Sequence, residues 1–410
     1  MQLRYSFRLT PTPGQRTALA RAFGCARVVY NDAIAAREKA RAEGRKPPTM
    51  AELSAMLITQ AKQTPERAWL AEVSAVVLQQ SLRDLGAAYA AFFAGLKGER
   101  RGPRVKPPAF KSRKGNRQSI RFTKNARFKI DDKGRLVLPG VGTVPVRFSR
   151  TLPSTPSSVT VIKDAAGRYF AGFVIETDPA TDLAAAPDAD DLPTVGIDLG
   201  LKHFAVLSDG TKIASPRFLR RAEKKLKKAQ RELSRKEKGS KNRAKARQKA
   251  ACAHAEVADA RREFHHHLST RIVREHQAVA VEDLAVSGMA RTRLAKSVHD
   301  AGWSAFVNML QYKCERYGRT FVQIGRFEPT TRRCSQCGHI DGPKPLHIRE
   351  WDCPACGAHL DRDINAAINV EHAAGQAVHA RGAPGRPWPK AMAGREEAGS
   401  QGIRTWDRAA

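Results

Sequence analysis

Three acidic positions stand out by their surroundings. Asp198 lies inside the apolar run Thr194-Val-Gly-Ile-Asp-Leu-Gly200, and a second apolar run follows to Leu207, so the pair reads as a strand hairpin. Strands disfavour Asp, and burying its charge is costly unless the group is paired or binds a cation. Glu282 closes another apolar strand, Ala278-Val-Ala-Val-Glu282, and Asp361 and Asp363 open the helical segment that continues Ile364-Asn-Ala-Ala-Ile-Asn369. Singly these read as a turn, a polar strand end and a helix N-cap. Together, carboxylates on two strand ends and a helix start suit a phosphodiesterase that uses two metal ions. Divalent ions take hard oxygen ligands, and a pair of them clamps the attacking and leaving oxygens. The order, hairpin then strand then helix, is that of an RNase H-like nuclease core. Gly196-Ile-Asp-Leu-Gly200 also resembles the phosphate loop of sugar kinases and actin-like ATPases, but no second phosphate loop or Gly-rich adenosine segment accompanies it.

The other chemistry-bearing set is Cys334-Ser-Gln-Cys337 followed, after 15 residues, by Cys353-Pro-Ala-Cys356. Two such pairs close one tetrahedral four-thiolate zinc site, and Gly338 and Gly357 supply the turn after each pair. Four protein ligands leave no open position, so Cys334, Cys337, Cys353 and Cys356 are expected to hold structural zinc. Paired thiols used for metal fit a reducing compartment. His265-His266-His267 reads as structural, because consecutive helix residues face different sides.

What must surround these sites is strongly basic. Lys and Arg number 72 against 40 Asp and Glu, a formal charge of +32 over 410 residues. Charge of that size destabilises a compact chain unless a polyanion offsets it. Lys97 to Arg121 holds ten basic residues and one acid, a net of +9; Thr211 to Ala250 holds 17 and three, a net of +14. Clustering of this kind points to phosphate contacts, with Lys106, Lys111, Arg113, Lys114, Lys225, Lys228, Lys241 and Arg243 as candidate nucleic-acid-binding residues. Gly102, Pro103, Pro107 and Pro108 make the first run an extended arm, with Phe110 and Phe122 expected to anchor it. The second run opens a proline-free stretch, read as a helix to about Lys238, a Gly239-Ser240 break and a helix to about His276. No apolar stretch reaches the ~20 residues of a membrane span, and no secretory signal opens the chain, so it is expected to be cytoplasmic.

Organisation follows from pattern. Residues 1–12 alternate as a strand, helices fit 14–44 and 50–96, and short alternating runs from Ile120 to Ile175 form a β-rich module. Asp178 to Pro193, acidic and Ala-rich, reads as a linker. The segment from Ala374 onward, rich in Gly and lacking periodicity, reads as a disordered tail.

At this point the sequence resembles the TnpB family, transposon-encoded RNA-guided DNA endonucleases ancestral to type V CRISPR effectors. The resemblance spans residues 1–372. It rests on Val195-Gly-Ile-Asp-Leu-Gly-Leu-Lys202, Gly239-Ser-Lys-Asn-Arg243, Val281-Glu-Asp-Leu284, Asp300-Ala-Gly-Trp303, Cys334-Ser-Gln-Cys-Gly338 and Asp361-Arg-Asp-Ile-Asn-Ala-Ala367. It implies an α/β multidomain chain: an RNase H-like (RuvC) nuclease core with an inserted zinc ribbon, plus an N-terminal β-barrel wedge domain with an inserted helical recognition lobe. The expected boundaries are 1–12 and 97–177 for the wedge, 13–96 for the lobe, 178–193 for the linker, 194–330 and 361–373 for the nuclease, 331–360 for the ribbon and 374–410 for the tail. By match to the family's motifs, Asp198, Glu282 and Asp363 are the catalytic acids and the magnesium ligands, two ions being expected, with Asp361 the neighbouring N-cap. The implied partners are a noncoding guide RNA and a target double-stranded DNA, cut beside a short flanking motif that Gln79 and Gln80 are candidates to contact. A monomer that meets no membrane and joins the nucleoid when bound to DNA is expected. The alternative is a guide-RNA-directed DNA-binding transcriptional regulator that does not cleave; family members of that kind lose carboxylates, and all three are present here.

Overall fold

The computed structural model describes residues 2–100, 102–115, 117–176, 192–345 and 347–380, with side chains of the last helix to 376. The expected linker falls almost wholly outside these residues. The chain divides into two compact units, Met1–Thr177 with Arg247–Cys252, and Asp178–Ala246 with Ala253–Ala410.

In the first unit β1 (Gln2–Leu9) alternates strictly, burying Leu3, Tyr5, Phe7 and Leu9. Thr12 and Gln15 then form a reciprocal cap and Pro13 occupies the first turn, launching the 30-residue helix α1 (Pro13–Ala42). After the short α2 (Met50–Ser54) comes α3 (Ala75–Leu96), packed against α1 through Leu78, Leu82 and Leu85. Six further strands follow: β2 (Gln118–Thr123), β3 (Lys129–Ile130), β4 (Arg135–Leu138), β5 (Gly142–Arg147), β6 (Ser158–Lys163) and β7 (Tyr169–Glu176). They join β1 in a seven-stranded antiparallel sheet ordered β2-β6-β7-β1-β5-β4-β3. Helices inserted between β1 and β2 therefore interrupt one continuous sheet.

The second unit is built on a five-stranded sheet ordered β10-β9-β8-β11-β12. Its strands are β8 (Thr194–Asp198), β9 (His203–Leu207), β10 (Lys212–Ala214), β11 (Ala278–Glu282) and β12 (Thr320–Ile324). β8, β9 and β10 meander antiparallel, whereas β11 lies parallel to both β8 and β12. Between β10 and β11 run α4 (Phe218–Ser234) and the 35-residue α5 (Lys241–Glu275). Short helices α6 (Val286–Met289) and α7 (Ala295–Ala301) and the longer α8 (Trp303–Arg316) separate β11 from β12. One face of the sheet, with Phe204 of β9, packs on Leu268, Ile272, Val273, Trp303, Phe306 and Leu310. The other receives α9 (Arg362–Ala380), with Val370 and Ala374 against Ala278, Ala280 and Ile324. A small hairpin, β13 (Glu350–Asp352) and β14 (His359–Asp361), leads into α9.

Several expectations need correction. Helix α9 continues to Ala380 with Ala374 fully buried, so the chain stays ordered beyond the boundary placed at 374; residues 381–410 lie outside the described residues. Phe110 is 54% exposed and lies outside the buried core, while Phe122 is core. The arm is tied instead through Lys111, whose backbone N–H donates to Asn31 Oδ1 at 2.8 Å and whose ammonium lies 3.6 Å over the Tyr30 ring. α4 stops at Ser234 rather than near Lys238.

Candidate active site and four-cysteine centre

Strand register brings the first two acids together. Ala278 to Val281 pair in parallel with Thr194 to Ile197, so Glu282 and Asp198 are the next residues along, at the carboxyl ends of neighbouring strands. The chain leaves β8 toward β9 on one side and reaches β11 on the other, and such a switch in strand order opens a crevice at the strands' carboxyl ends. Period-two alternation puts Thr194, Gly196 and Asp198 on the face that α9 covers. A Cβ on Gly196 would lie 2.0 Å from the Ala367 carbonyl oxygen and 2.6 Å from the Glu371 nitrogen. Only glycine lets the helix come that close, and this close seat delivers the helix's first turn, with Asp363, to the same crevice. The Thr194 hydroxyl fixes the approach by donating to Glu371.

The electrostatics report the convergence. Burial first, then the nearby carboxylates of Glu282 and Asp363, push the Asp198 carboxyl up to about 8, against the pull of Arg362 and Arg349. Burial likewise raises Glu282, opposed by the hydroxyl of Thr330, which donates to Glu282 Oε1. Asp363 accepts from Arg349 Nη1 at 3.4 Å and has His203 Nδ1 at 3.8 Å. Asp361 is employed otherwise: its Oδ1 accepts from the backbone N–H groups of Asp363 and Ile364, both at 3.0 Å, and its Oδ2 pairs with Lys212. It caps α9. Burial works against its ionisation, yet Lys212 and the two amides hold its pKa below the usual carboxylate range. The three acids do not close as tightly as the thiols: among the described residues only the four cysteines form a group of three or more potential ligands whose donor atoms all lie within 4.8 Å.

The thiols fit a tetrahedral ion. Zinc–sulfur bonds of about 2.3 Å imply sulfurs roughly 3.8 Å apart, and the separations are 3.8 Å for Cys334–Cys356 and 3.6 Å for Cys337–Cys353. Each pair ends in the same turn. Gly338 N–H donates to the Cys334 carbonyl and Gly357 N–H to that of Cys353, with φ of 78° and 70°, the left-handed region glycine favours. Trp351 and Leu360 close a small core beside the thiols.

Sequence reasoning missed the clamp that joins the two centres. Asn365 and Asn369, one turn apart on α9 and both buried, each donate through Nδ2 to the carbonyls of Thr330 and Arg333. The Ser335 N–H donates to Asn365 Oδ1 at 2.8 Å. The paired asparagines were visible in the sequence; their partners were not, because Thr330 and Arg333 carry no motif of their own. Phe327, on the loop between β12 and Thr330, is 94% exposed.

The basic candidates divide. Lys106, Arg113, Lys114, Lys228 and Lys241 are exposed, and so is Lys225, which pairs with Glu256. Arg243 is a structural residue: its Nη1 donates to the carbonyls of Leu233 and Lys236, closing the break between α4 and α5, while Ser240 caps α5. Gln80 is buried at 4% exposure and unavailable to a nucleic acid, whereas Gln79 is exposed.

A chain with an antiparallel sheet interrupted by helices, a mixed sheet carrying acids at its switch point and a four-cysteine centre has counterparts among solved structures. A Cas12f1–sgRNA–target DNA complex matches with a TM-score of 0.50 at 15% identity, over 87% of this chain and 82% of that one. The mini-RNA-guided endonuclease CRISPR-Cas phi3 matches at 0.52 and 8% identity, over 91% and 92%. These likenesses concern the fold. Family models match residues 173–293 as a probable transposase, 303–370 as a Cas12f1-like TNB domain and 1–46 as a helix-turn-helix domain, a span folded here as β1 and the single helix α1. A Streptomyces pristinaespiralis relative named as an RNA-guided DNA endonuclease is 44% identical over 93% of this chain and 92% of its own length. An Escherichia coli relative with the same kind of name is 30% identical over 92% and 93%. The chain belongs to the TnpB family.

Proposed function

We propose that this chain is an RNA-guided DNA endonuclease associated with a transposon, whose mixed sheet is an RNase H-like, RuvC-type core and whose catalytic acids are Asp198, Glu282 and Asp363. The observation that carries the reading is the meeting of those acids at one crevice, in a chain whose relatives are named as such enzymes. Asp198, Glu282 and Asp363 would hold magnesium, as a pair of ions, which supplies positive charge for the attacking water and the leaving oxygen. The protein's own part is to preorganise: β8 and β11 fix two carboxylates by register, α9 fixes the third, and Arg349 beside Asp363 offers positive charge where a phosphate must sit. Phe327 presents an open ring on which a base of the incoming single strand stacks. Lys106, Arg113, Lys114, Lys228 and Lys241 contact phosphates of the guide RNA and its duplex with target DNA, while base pairing reads the sequence. Cys334, Cys337, Cys353 and Cys356 would hold zinc as a structural ion. Among the described residues no helix is long and apolar enough to cross a membrane.

Three intact acids in a desolvated crevice favour cleavage over binding alone, since an anionic pocket repels phosphate unless cations fill it. The test is cleavage by the full chain with the RNA that copurifies with it. Asp198→Ala should abolish cutting and leave RNA affinity within about twofold; an Asp198→Ala chain that still cuts overturns the assignment.

A further inference from the structure

Beyond the acids themselves, we infer that Thr330 is a positioning residue that couples the four-cysteine centre to the orientation of Glu282; this rests on the carboxylate reading above. Thr330 is buried at 6% exposure and sits four residues before Cys334. Its hydroxyl donates to Glu282 Oε1. Its backbone carbonyl accepts from Asn369 Nδ2 at 2.8 Å and Asn365 Nδ2 at 3.4 Å. The same two amides reach the Arg333 carbonyl at 2.6 Å and 2.8 Å, the residue that enters the first cysteine turn, and Asn365 Oδ1 receives the Ser335 N–H inside that turn. The path from thiol to carboxylate is therefore continuous: cysteine turn, asparagine pair, Thr330, Glu282.

Each link is forced by burial. A carboxylate ending a strand among apolar neighbours has rotamers to choose from, and a single donor on one oxygen selects among them. Thr330 can do so only if its own backbone is fixed, and the segment Gly325–Arg333 holds turns and a single bridge from Arg333 to Ile340 but no helix or strand. The asparagines tie these turns to a helix that is itself docked on β8. Helix α9 thus positions Asp363 through its first turn and Glu282 through its second and third, so one rigid body sets two of the three acids. The four-cysteine turn closes the far end of the clamp.

The probe is Mn²⁺ alone, titrated into the purified full chain and read by electron paramagnetic resonance and calorimetry, with zinc content measured in parallel. Thr330→Val keeps the β-branched shape and removes the hydroxyl; Thr330→Ser keeps the hydroxyl. Losing an outer-shell hydrogen bond to a metal ligand weakens binding about 10–100-fold, so Thr330→Val should bind Mn²⁺ at least tenfold more weakly. Thr330→Ser should stay within about threefold of the parent, and both should retain full zinc and the parental melting temperature within a few degrees. Asn369→Leu, which cuts the clamp without touching Glu282, should reproduce the Mn²⁺ loss. Thr330→Val binding as tightly as the parent, or Thr330→Ser failing as Thr330→Val does, overturns the coupling. A parent chain that binds Mn²⁺ no better than its Asp198→Ala variant overturns the carboxylate reading beneath it.

Discussion

Asp198 is where local chemistry departs furthest from solution behaviour. With its carboxyl pushed up to about 8 by burial and two neighbouring acids, it holds a proton at neutral pH unless a cation displaces it. The folded pKa lies above the ordinary value of 3.8, so its contribution to stability is full below about pH 4 and is lost as pH rises through about 8. The cation-free chain should therefore lose stability between about pH 4 and 8, and divalent cations should bind more tightly as pH rises, releasing a proton. Asp198→Asn removes the titration. It should flatten the pH dependence and stabilise the cation-free chain at pH 8 by about 1–3 kcal/mol, while eliminating cleavage. Thermal melts across that range decide the matter: a parent melting temperature that does not fall relative to Asp198→Asn contradicts the account. Phe327 poses a separate question at this scale, because a ring 94% exposed contributes little to folding. Phe327→Ala should weaken single-stranded DNA binding by about 1–3 kcal/mol without moving the melt, and Phe327→Trp should preserve it. Equal anisotropy titrations for Phe327→Ala and the parent would remove the stacking role.

At the scale of elements, the site depends on one close helix–strand contact. Gly196→Ala places a methyl 2.0 Å from the Ala367 carbonyl, where backbone cannot yield, so α9 must lift from β8. The expected cost is about 3 kcal/mol, the upper end for an overpacked core, together with loss of cleavage although every acid is retained. Chemical denaturation and a cleavage assay on one preparation test both; a Gly196→Ala chain of parental stability shows that the contact is looser than described. This contact also marks what the sequence could disclose. Asp198 and Glu282 were legible because a charged residue inside or ending an apolar strand violates propensity, and the cysteine turns because metal spacing is local. The two strands' shared register was not legible, since pairing across 84 positions leaves no local pattern. Arg243 and Gln80 show the opposite failure: charge and polarity were read as exposure, but a guanidinium that closes a helix break and a glutamine packed in a helical bundle look the same in sequence as surface groups. Lys111 is exposed as its charge suggests, and only the fold places Tyr30 beneath its ammonium.

At the scale of the whole molecule, the excess of positive charge calls for a partner of opposite sign. A net +32 is not offset within the chain: the α4–α5 segment pairs Lys225 with Glu256 and Lys227 with Glu223, leaving far more cations than acids. Self-repulsion of this kind is relieved by a polyanion, and each phosphate neutralised releases condensed counterions, contributing about 0.7–0.9 to the slope of log affinity against log salt. Exchanging Lys225, Lys228 and Lys241 for Gln on this hairpin should therefore reduce the slope for the copurifying RNA by about 2–3. Affinity should fall most at low salt, with the fold and the zinc content intact. Because the acids lie on a different part of the second unit, Asp198→Asn should leave the slope unchanged, which separates the charge that holds the nucleic acid from the crevice that would cut it. A triple Lys→Gln variant with the parental slope would mean that the phosphates lie elsewhere, and attention would pass to the arm carrying Lys106, Arg113 and Lys114.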